Sequence, residues 1–382
     1  MIKPGYKRLG DYIEPMDERN SNLSVKLSQG ICNNKYFITP RQVAENSAND
    51  KIVRTGQFAY NRATTRNGDK ISIAYREGPD CTVSSAYQIF RIKDENKLNP
   101  HYLWMWFRRP EFDRYARFKS RGSAHEFFEW DEMCEVYLPI PDIDEQRRIV
   151  AEYQAVEKRI ATNDALIAKL EETAQIIYKD MFVNNVDLAN LPNGWIMGTL
   201  ESLGEIVSGA TPSTEVPEYW DDYGIAWLSP ADLSREGTLF MSRGAKSISA
   251  LGYKSASTKL LPKGSVLFSS RAPIGLMAIA DGDLCTNQGF KSIVPHSKVG
   301  TEYVYYVLLN LKDRIANENT GATFAEVSGS TMKMYEALIP DEKTCKEFSK
   351  KILPLHDYIK NIEHENKALT NLLSLLLSKL TK

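Results

Sequence analysis

The sequence predicts a mixed α/β protein built as a duplicate: two globular domains separated by two long helices that pack as an antiparallel coiled coil. Three observations carry this reading. The 382-residue chain repeats its own pattern with a period near 200 residues. Each repeat closes on Pro-Asp and then turns helical. The two helical stretches carry heptad seams in matching register.

The repeat is visible as ordered matches. With Gly122 set on Gly321, Met133 meets Met332, Ile140 meets Ile339, Pro141 meets Pro340 and Asp142 meets Asp341. Upstream, Tyr102-Leu103-Trp104 matches Tyr303-Val304-Tyr305, and Cys81-Thr82 matches Cys285-Thr286. Leu9-Gly10-Asp11 is set against Leu203-Gly204-Glu205. The offset drifts from 194 to 204, as loop insertions between duplicated domains would make it. The expected boundaries are a first domain at 1–142, a helix at 143–183, a second domain at 184–341 and a second helix at 342–382.

In the first helix the seam runs Ile160, Asn163, Ile167, Leu170, Ala174, Ile177 and Met181. In the second it runs Ile359, Ile362, Asn366, Leu369, Leu373, Leu376 and Leu380. Asp142 and Glu145 make a capping-box-like start. Residues 144–182 contain neither Pro nor Gly, so the helix runs on the order of 60 Å at ~1.5 Å per residue. Pro354 predicts a kink or a late start in the second helix. Matching seams pack most simply on each other, and antiparallel pairing asks least of the connecting chain. The alternative is two helices docked separately on their own domains. Asn163 and Asn366, on the seam, would fix register.

The first domain is expected to hold strands at 58–62, 70–75 and 87–92, with a turn at Asn67-Gly68 and a helix over 100–117 begun by Pro100. The second should hold strands at 225–228, 265–268, 277–280 and 291–294 and a helix over 301–317. Its loops Gly209–Ser213 and Arg271–Gly275 are rich in Gly and Pro, and 191–195 reads as the linker into it.

Hydrophobic residues make up 42% and charged residues 25%, which fits folded domains. The most apolar tract, 372–380, is broken by Ser374, Ser378 and Lys379 and is too short to span a membrane. The opening Met1-Ile2-Lys3-Pro4-Gly5 leads into no apolar run, so no secretory leader is expected. Five scattered cysteines without a C-x-x-C pair fit a reducing cytoplasm. Net charge is −1, so any nucleic-acid binding must come from local patches. Residues 1–142 carry 22 Lys+Arg against 19 Asp+Glu, with 13 arginines; residues 184–341 carry 12 against 17, with only 4. Arginine is the better fork for phosphate and guanine.

Catalytic signatures are missing. There is no P-loop, no G-x-G-x-x-G after a strand, no G-x-S-x-G and no H-E-x-x-H. His356 and His364, eight apart on the last helix, read as exposed side chains rather than metal ligands. Asn99-Pro100-His101-Tyr102 is close to the Asn-Pro-Pro-Tyr motif of amino-methyltransferases but lacks the second proline. It reads as a helix start, and Asp281-Gly282-Asp283 as a turn. No catalytic residue and no metal site are expected on this chain.

Certain strings together resemble the specificity subunit of type I restriction–modification systems. They are Pro192-Asn193-Gly194-Trp195, Leu203-Gly204-Glu205-Ile206, Gly209-Ala210-Thr211-Pro212-Ser213 and Trp227-Leu228-Ser229. With them stand Ser269-Ser270-Arg271-Ala272-Pro273-Ile274-Gly275, Thr286-Asn287-Gln288-Gly289-Phe290 and the helix opening Glu145-Gln146-Arg147-Arg148-Ile149-Val150. The second helix departs from that opening, with Thr344-Cys345-Lys346-Glu347-Phe348. The resemblance implies a non-enzymatic, cytoplasmic adaptor. Each globular domain would be a target recognition domain reading one half of a split site in double-stranded DNA. The helices would set the spacing and dock two methyltransferase subunits. Those partners would carry the S-adenosylmethionine, this chain binding no cofactor, and restriction/translocase subunits would join for cleavage.

Direct readout needs Arg, Lys, Asn, Gln or hydroxyl side chains on loops. The expected DNA contacts are Lys35, Arg41, Arg62 and Arg66 in the first domain, and Thr211, Lys254, Lys259 and Arg271 in the second. Arg147, Arg148 and Glu152 are the expected partner contacts on the first helix. The rival readings are a methyltransferase-only complex using the same adaptor, a scaffold without DNA contact, and a stand-alone DNA-modifying enzyme.

Overall fold

A computed structural model describes residues 5–40, 48–63, 70–120, 126–319 and 326–381. The chain forms two compact units: Met1–Ala161 with Ala368–Lys382, and Thr162–Lys367. Gly122, Gly321 and the Asn67-Gly68 turn lie outside the described residues.

The first unit is built on a four-stranded antiparallel sheet in the order Ile13–Met16, Tyr87–Ile92, Phe58–Asn61, Ile73–Tyr75. Phe58, Tyr60, Ile73 and Phe90 face one buried cluster and Ala59, Ala74 and Ile89 another, so the centre of the sheet is covered on both faces. Phe58 stacks on Phe90 at 5.0 Å, and Phe107, Phe112, Phe128 and Tyr60 close the core around them. The helix Pro100–Phe107 starts where Asn99 Oδ1 accepts from His101 N (2.9 Å) and Tyr102 N (3.1 Å). Asn99-Pro100-His101-Tyr102 is therefore an N-cap and first turn. The single helix expected over 100–117 is two helices, Pro100–Phe107 and Pro110–Lys119. Pro110 forces its predecessor Arg109 into an extended conformation, which ends one helix before the next can begin.

The second unit repeats this sheet and extends it. The order is Gly204–Ser208, Lys291–Pro295, Val266–Ser270, Ile274–Ala280, followed by Phe240–Met241 in parallel. A three-stranded sheet around Trp220–Leu228 packs beside it, Ala226 and Leu228 lying against Val207, Leu267 and Ala278. Thr301–Glu318 forms a helix whose Tyr303, Val304, Tyr306 and Leu308 are buried.

Backbone hydrogen bonds make the duplication concrete. Gly56 N donates to Arg76 O and Gly264 N to Ala280 O, each at 2.8 Å. Both glycines sit at φ near +90, which side chains rarely adopt. Phe58 pairs with Tyr75 and Phe90 as Val266 pairs with Ile279 and Ile293. Tyr102 Oη donates to Pro139 O (3.0 Å) as Tyr303 Oη does to Leu338 O (2.8 Å). The expected match of Leu9 with Leu203 is corrected by three residues. Leu9 N bonds Val136 O as Leu200 N bonds Tyr335 O, while Tyr12 O and Leu203 O accept from Lys93 N and His296 N. The equivalents are therefore Leu9 with Leu200 and Tyr12 with Leu203.

The long helices span Ile143–Lys179, followed by a π-turn over Asp180–Asn184, and Glu342–Lys379. Each opens on an aspartate cap: Glu145 N to Asp142 Oδ1 and Thr344 N to Asp341 Oδ1, both 3.0 Å. Bonds from the Thr344 hydroxyl and backbone and from Trp195 hold the Asp341 carboxyl down at about 2. The second helix starts on time and runs unbroken through Pro354. Lys350, Leu353 and Pro354 are all exposed there, so the carbonyl that loses its partner is on the solvent side. No residue of either seam is exposed. Within the second unit, Asn163 meets Asn366 while Tyr178 meets Phe348, so the chains run antiparallel. Asn163 Nδ2 donates to Asn366 Oδ1 (2.8 Å), and Asn366 Nδ2 donates to Asp164 Oδ1 (2.7 Å).

His356, expected on the surface, is 2% exposed. Its Nε2 lies 3.1 Å from Tyr306 Oη, and burial pulls its pKa down to about 4. The helix turns this residue toward the domain, on the same face as Ile352 and Ile359. Two helical turns further on, Glu363 accepts from Leu239 N (2.6 Å) and Phe240 N (3.3 Å). Burial pushes that carboxyl up to about 7.

Candidate nucleic-acid interface

In the second unit four loops meet at one edge of the five-stranded sheet. They are 209–213 after the first strand, 271–273 between two central strands, 287–289 before Lys291–Pro295, and 326–328 before the short helix Gly329–Met334. Backbone bonds lock them together: Ala210 N to Thr286 O (2.9 Å), Ser270 N to Gly289 O (2.8 Å) and Val327 N to Ser270 O (3.0 Å). Trp227 Nε1 donates to Ala210 O (3.0 Å). A Cβ on Gly209 would stand 2.2 Å from the carbonyl oxygens of Thr286 and Asn287, so only glycine permits this approach.

The side chains at this edge are polar. The Thr211 hydroxyl donates to Gln288 Oε1. Arg271 Nη1 lies 3.4 Å from Glu326 Oε2, and Lys291 Nζ lies 3.8 Å from Glu326 Oε1. Lys291 is buried, and burial lowers its pKa. Thr211, Gln288, Glu326, Ser328 and Ser330 are exposed. Exposed amide, hydroxyl and guanidinium groups on loops fixed by a sheet can bond phosphates and base edges.

The first unit has the corresponding corner. Phe128 N donates to Arg62 O at 2.9 Å, as Val327 N does to Ser270 O. Arg62 Nη1 pairs with Glu129 Oε2 at 3.3 Å, and its guanidinium lies over the Phe127 ring.

The remaining expected contacts scatter. Lys35 is corrected: it is 4% exposed, 2.7 Å from Asp113 Oδ1, and donates to Phe107 O. Its Nζ serves the core and faces no solvent. Arg41 and Arg66 lie outside the described residues. Lys259 is exposed and bonded to Glu205 at 2.8 Å. Lys254 is exposed in the last turn of the short helix Ala250–Ser255. Among the described residues neither is tied to the four-loop edge by a bond. On the first long helix, Arg147 pairs with Asp144 (3.2 Å), and Arg148 pairs with Glu145 (2.6 Å) and Glu152. All three expected partner contacts are exposed.

Sequence reasoning passed over Gln288, Lys291, Glu326 and Glu129. Gln288 lies within the quoted string Thr286-Asn287-Gln288-Gly289-Phe290, and Lys291 follows it directly, which is the signal that could have pointed to the first two. Among the described residues no group of three His, Cys, Asp or Glu is placed to hold a metal. Asp221 accepts from Tyr223 N, a turn bond, and Asp283 accepts from Lys263 N, a bond between two loops. Among the described residues no helix is long and apolar enough to cross a membrane.

A family model described as type I restriction modification DNA specificity domain matches residues 23–172 and again 192–374. The type I restriction enzyme MjaIX specificity subunit of Methanocaldococcus jannaschii is 35% identical over 185 residues, which is 48% of this chain and 43% of that protein. The HindI specificity subunit of Haemophilus influenzae is 22% identical over 405 residues, covering 86% of each. In fold, the chain is similar to the crystal structure of a type I restriction–modification S subunit from M. genitalium. That TM-score is 0.58 at 12% identity, over 99% of this chain and 96% of the other.

Proposed function

The chain belongs to the type I restriction–modification DNA specificity family, and from that premise we propose that it is the DNA-reading subunit of such a complex. Each domain reads one half of a bipartite, asymmetric site in double-stranded DNA. The paired helices set the distance between the half-sites and dock two methyltransferase subunits through faces that include Arg147, Arg148 and Glu152. The chain itself is non-catalytic and cytoplasmic. S-adenosylmethionine and methyl transfer belong to the methyltransferase subunits, and restriction/translocase subunits join for cleavage.

The observation that carries this reading is one sheet corner built twice, with an arginine paired to a glutamate at each. A reader of a split site needs two similar surfaces that differ in side chains. Arg62 and Arg271 are the principal proposed DNA contacts, with Thr211 beside Arg271. Arg41, Arg66, Lys254 and Lys259 are proposed as contacts to the phosphate backbone.

The test is duplex binding by the chain assembled with its methyltransferase subunits, measured across salt concentrations. The logarithm of the binding constant should fall linearly with the logarithm of salt, by ~0.9 per phosphate contact. R62Q and R271Q should each flatten that slope by roughly one. Binding that ignores salt, or that neither substitution changes, would remove these domains from DNA contact.

A further inference from the structure

The two corners share a feature that simple inheritance from one ancestral domain does not explain. The shared hydrogen bond sets Arg62 opposite Ser270 and Phe128 opposite Val327. By that register Arg271 is the counterpart of Ala63, Glu326 of Phe127, and Glu129 of Ser328. The arginine and the glutamate thus occupy different positions in the two halves. An Arg–Glu ion pair nevertheless stands at both corners, at 3.3 Å and 3.4 Å. In each case the arginine leaves a central strand and the glutamate precedes or opens the last short helix of its domain.

Both pairs are solvent-exposed, with side chains between 37% and 55% accessible. They are also longer than a tight charge-assisted bond, which is ~2.7–2.9 Å. Such pairs hold weakly in water. A phosphodiester offers a guanidinium two oxygens in the fork geometry it favours, so it competes well with a loosely held carboxylate. Once the arginine turns to phosphate, the glutamate is left facing a like charge. Each glutamate therefore weakens phosphate binding at its corner. In the second domain Glu326 also faces Lys291, so a single carboxylate restrains two cations.

We infer that each domain carries a phosphodiester-binding corner occupied by its own carboxylate: Glu129 holds Arg62, Glu326 holds Arg271, and duplex DNA displaces them. The device keeps the chain's hold on the DNA backbone weak, so that lasting attachment depends on base contacts as well. This inference rests on the DNA-reading proposal above and assigns a role to two acidic residues that the proposal leaves out.

The experiment uses the full chain assembled with its methyltransferase subunits and a 30-bp duplex of random sequence as probe. E129Q and E326Q should each bind that duplex several-fold more tightly than the unaltered chain, E326Q by the larger factor. Each should steepen the salt slope by up to about one. R62Q added to E129Q, or R271Q added to E326Q, should erase the gain. E172Q, which removes the same charge from the first long helix, should change nothing. Thermal unfolding, measured in parallel, should be unaltered in the glutamine variants. A variant that gains no affinity, or that keeps its gain after the arginine is removed, would overturn the inference and leave DNA reading intact. Absence of salt-dependent DNA binding by the unaltered complex would instead overturn the reading on which it rests.

Discussion

Asp113→Ala should destabilise the protein by about 3–5 kcal/mol, the usual cost of leaving a buried charge without its partner. Lys35 and Asp113 are both buried and 2.7 Å apart. Asp113 Oδ1 also accepts the backbone N–H of Ile71 at 3.1 Å. Burial pulls the Lys35 pKa down, and Asp113 pushes it back up. Removing the carboxylate strands an ammonium and a backbone donor inside the domain. Lys35 also sits at φ +70, a backbone strain that only firm anchoring sustains. A fall in melting temperature on the order of 10 °C should follow. The double variant K35M/D113L should recover most of the loss, because apolar residues of similar volume replace buried pairs well. A loss below ~1 kcal/mol in D113A would mean that water reaches the pair.

Phe348→Ala should cost a similar ~3–5 kcal/mol by a different route. Phe348 is fully buried, and its ring lies 5.2 Å from Phe182, 5.9 Å from Tyr306, 6.0 Å from Tyr178 and 6.3 Å from Tyr303. These rings come from both long helices and from the helix Thr301–Glu318. The truncation opens a cavity where three elements meet and cannot all close in. Hydrogen exchange should quicken first in residues 342–362, the stretch that Phe348 pins down. F348L should cost far less, as swaps that nearly conserve volume do. Unchanged exchange in F348A would show that the second helix is held by its other contacts.

The parts of this fold that could be read from sequence are those set by local periodicity or by repetition. The heptad steps from Ile160 to Met181 and from Ile359 to Leu380 identified the buried faces of both helices, because helical spacing alone decides which residues share a stripe. The repeat around Pro141-Asp142 and Pro340-Asp341 exposed the duplicated architecture. What escaped depends on partners distant in sequence. Lys35 reads as a loop cation, and the Phe107 carbonyl and Asp113, 72 and 78 residues away, turn it inward. His356 looks polar in sequence, yet Tyr306 and the domain surface bury it. The match of Leu9 to Leu203 failed because a three-residue 3₁₀ turn, Leu9–Asp11 in one half and Leu200–Ser202 in the other, precedes each strand. Only the shared hydrogen bonds fix that register.

The candidate interface was half legible for the same reason. Arg62 and Arg271 were picked out as loop arginines, and the fold places them at corresponding corners. Their partners Glu129 and Glu326 lie 67 and 55 residues away, and no spacing rule points to them.

In the proposed division of labour this chain supplies sequence choice and its partners supply chemistry. The most direct measurement mixes the full chain with its cognate methyltransferase subunit, S-adenosylmethionine and genomic DNA, then maps methylated adenine by long-read sequencing. Methylation should be confined to one split motif, with the chain alone leaving the DNA unmodified. Methylation or cleavage by this chain alone, or methylation by the pair without a bipartite motif, would contradict that division of labour.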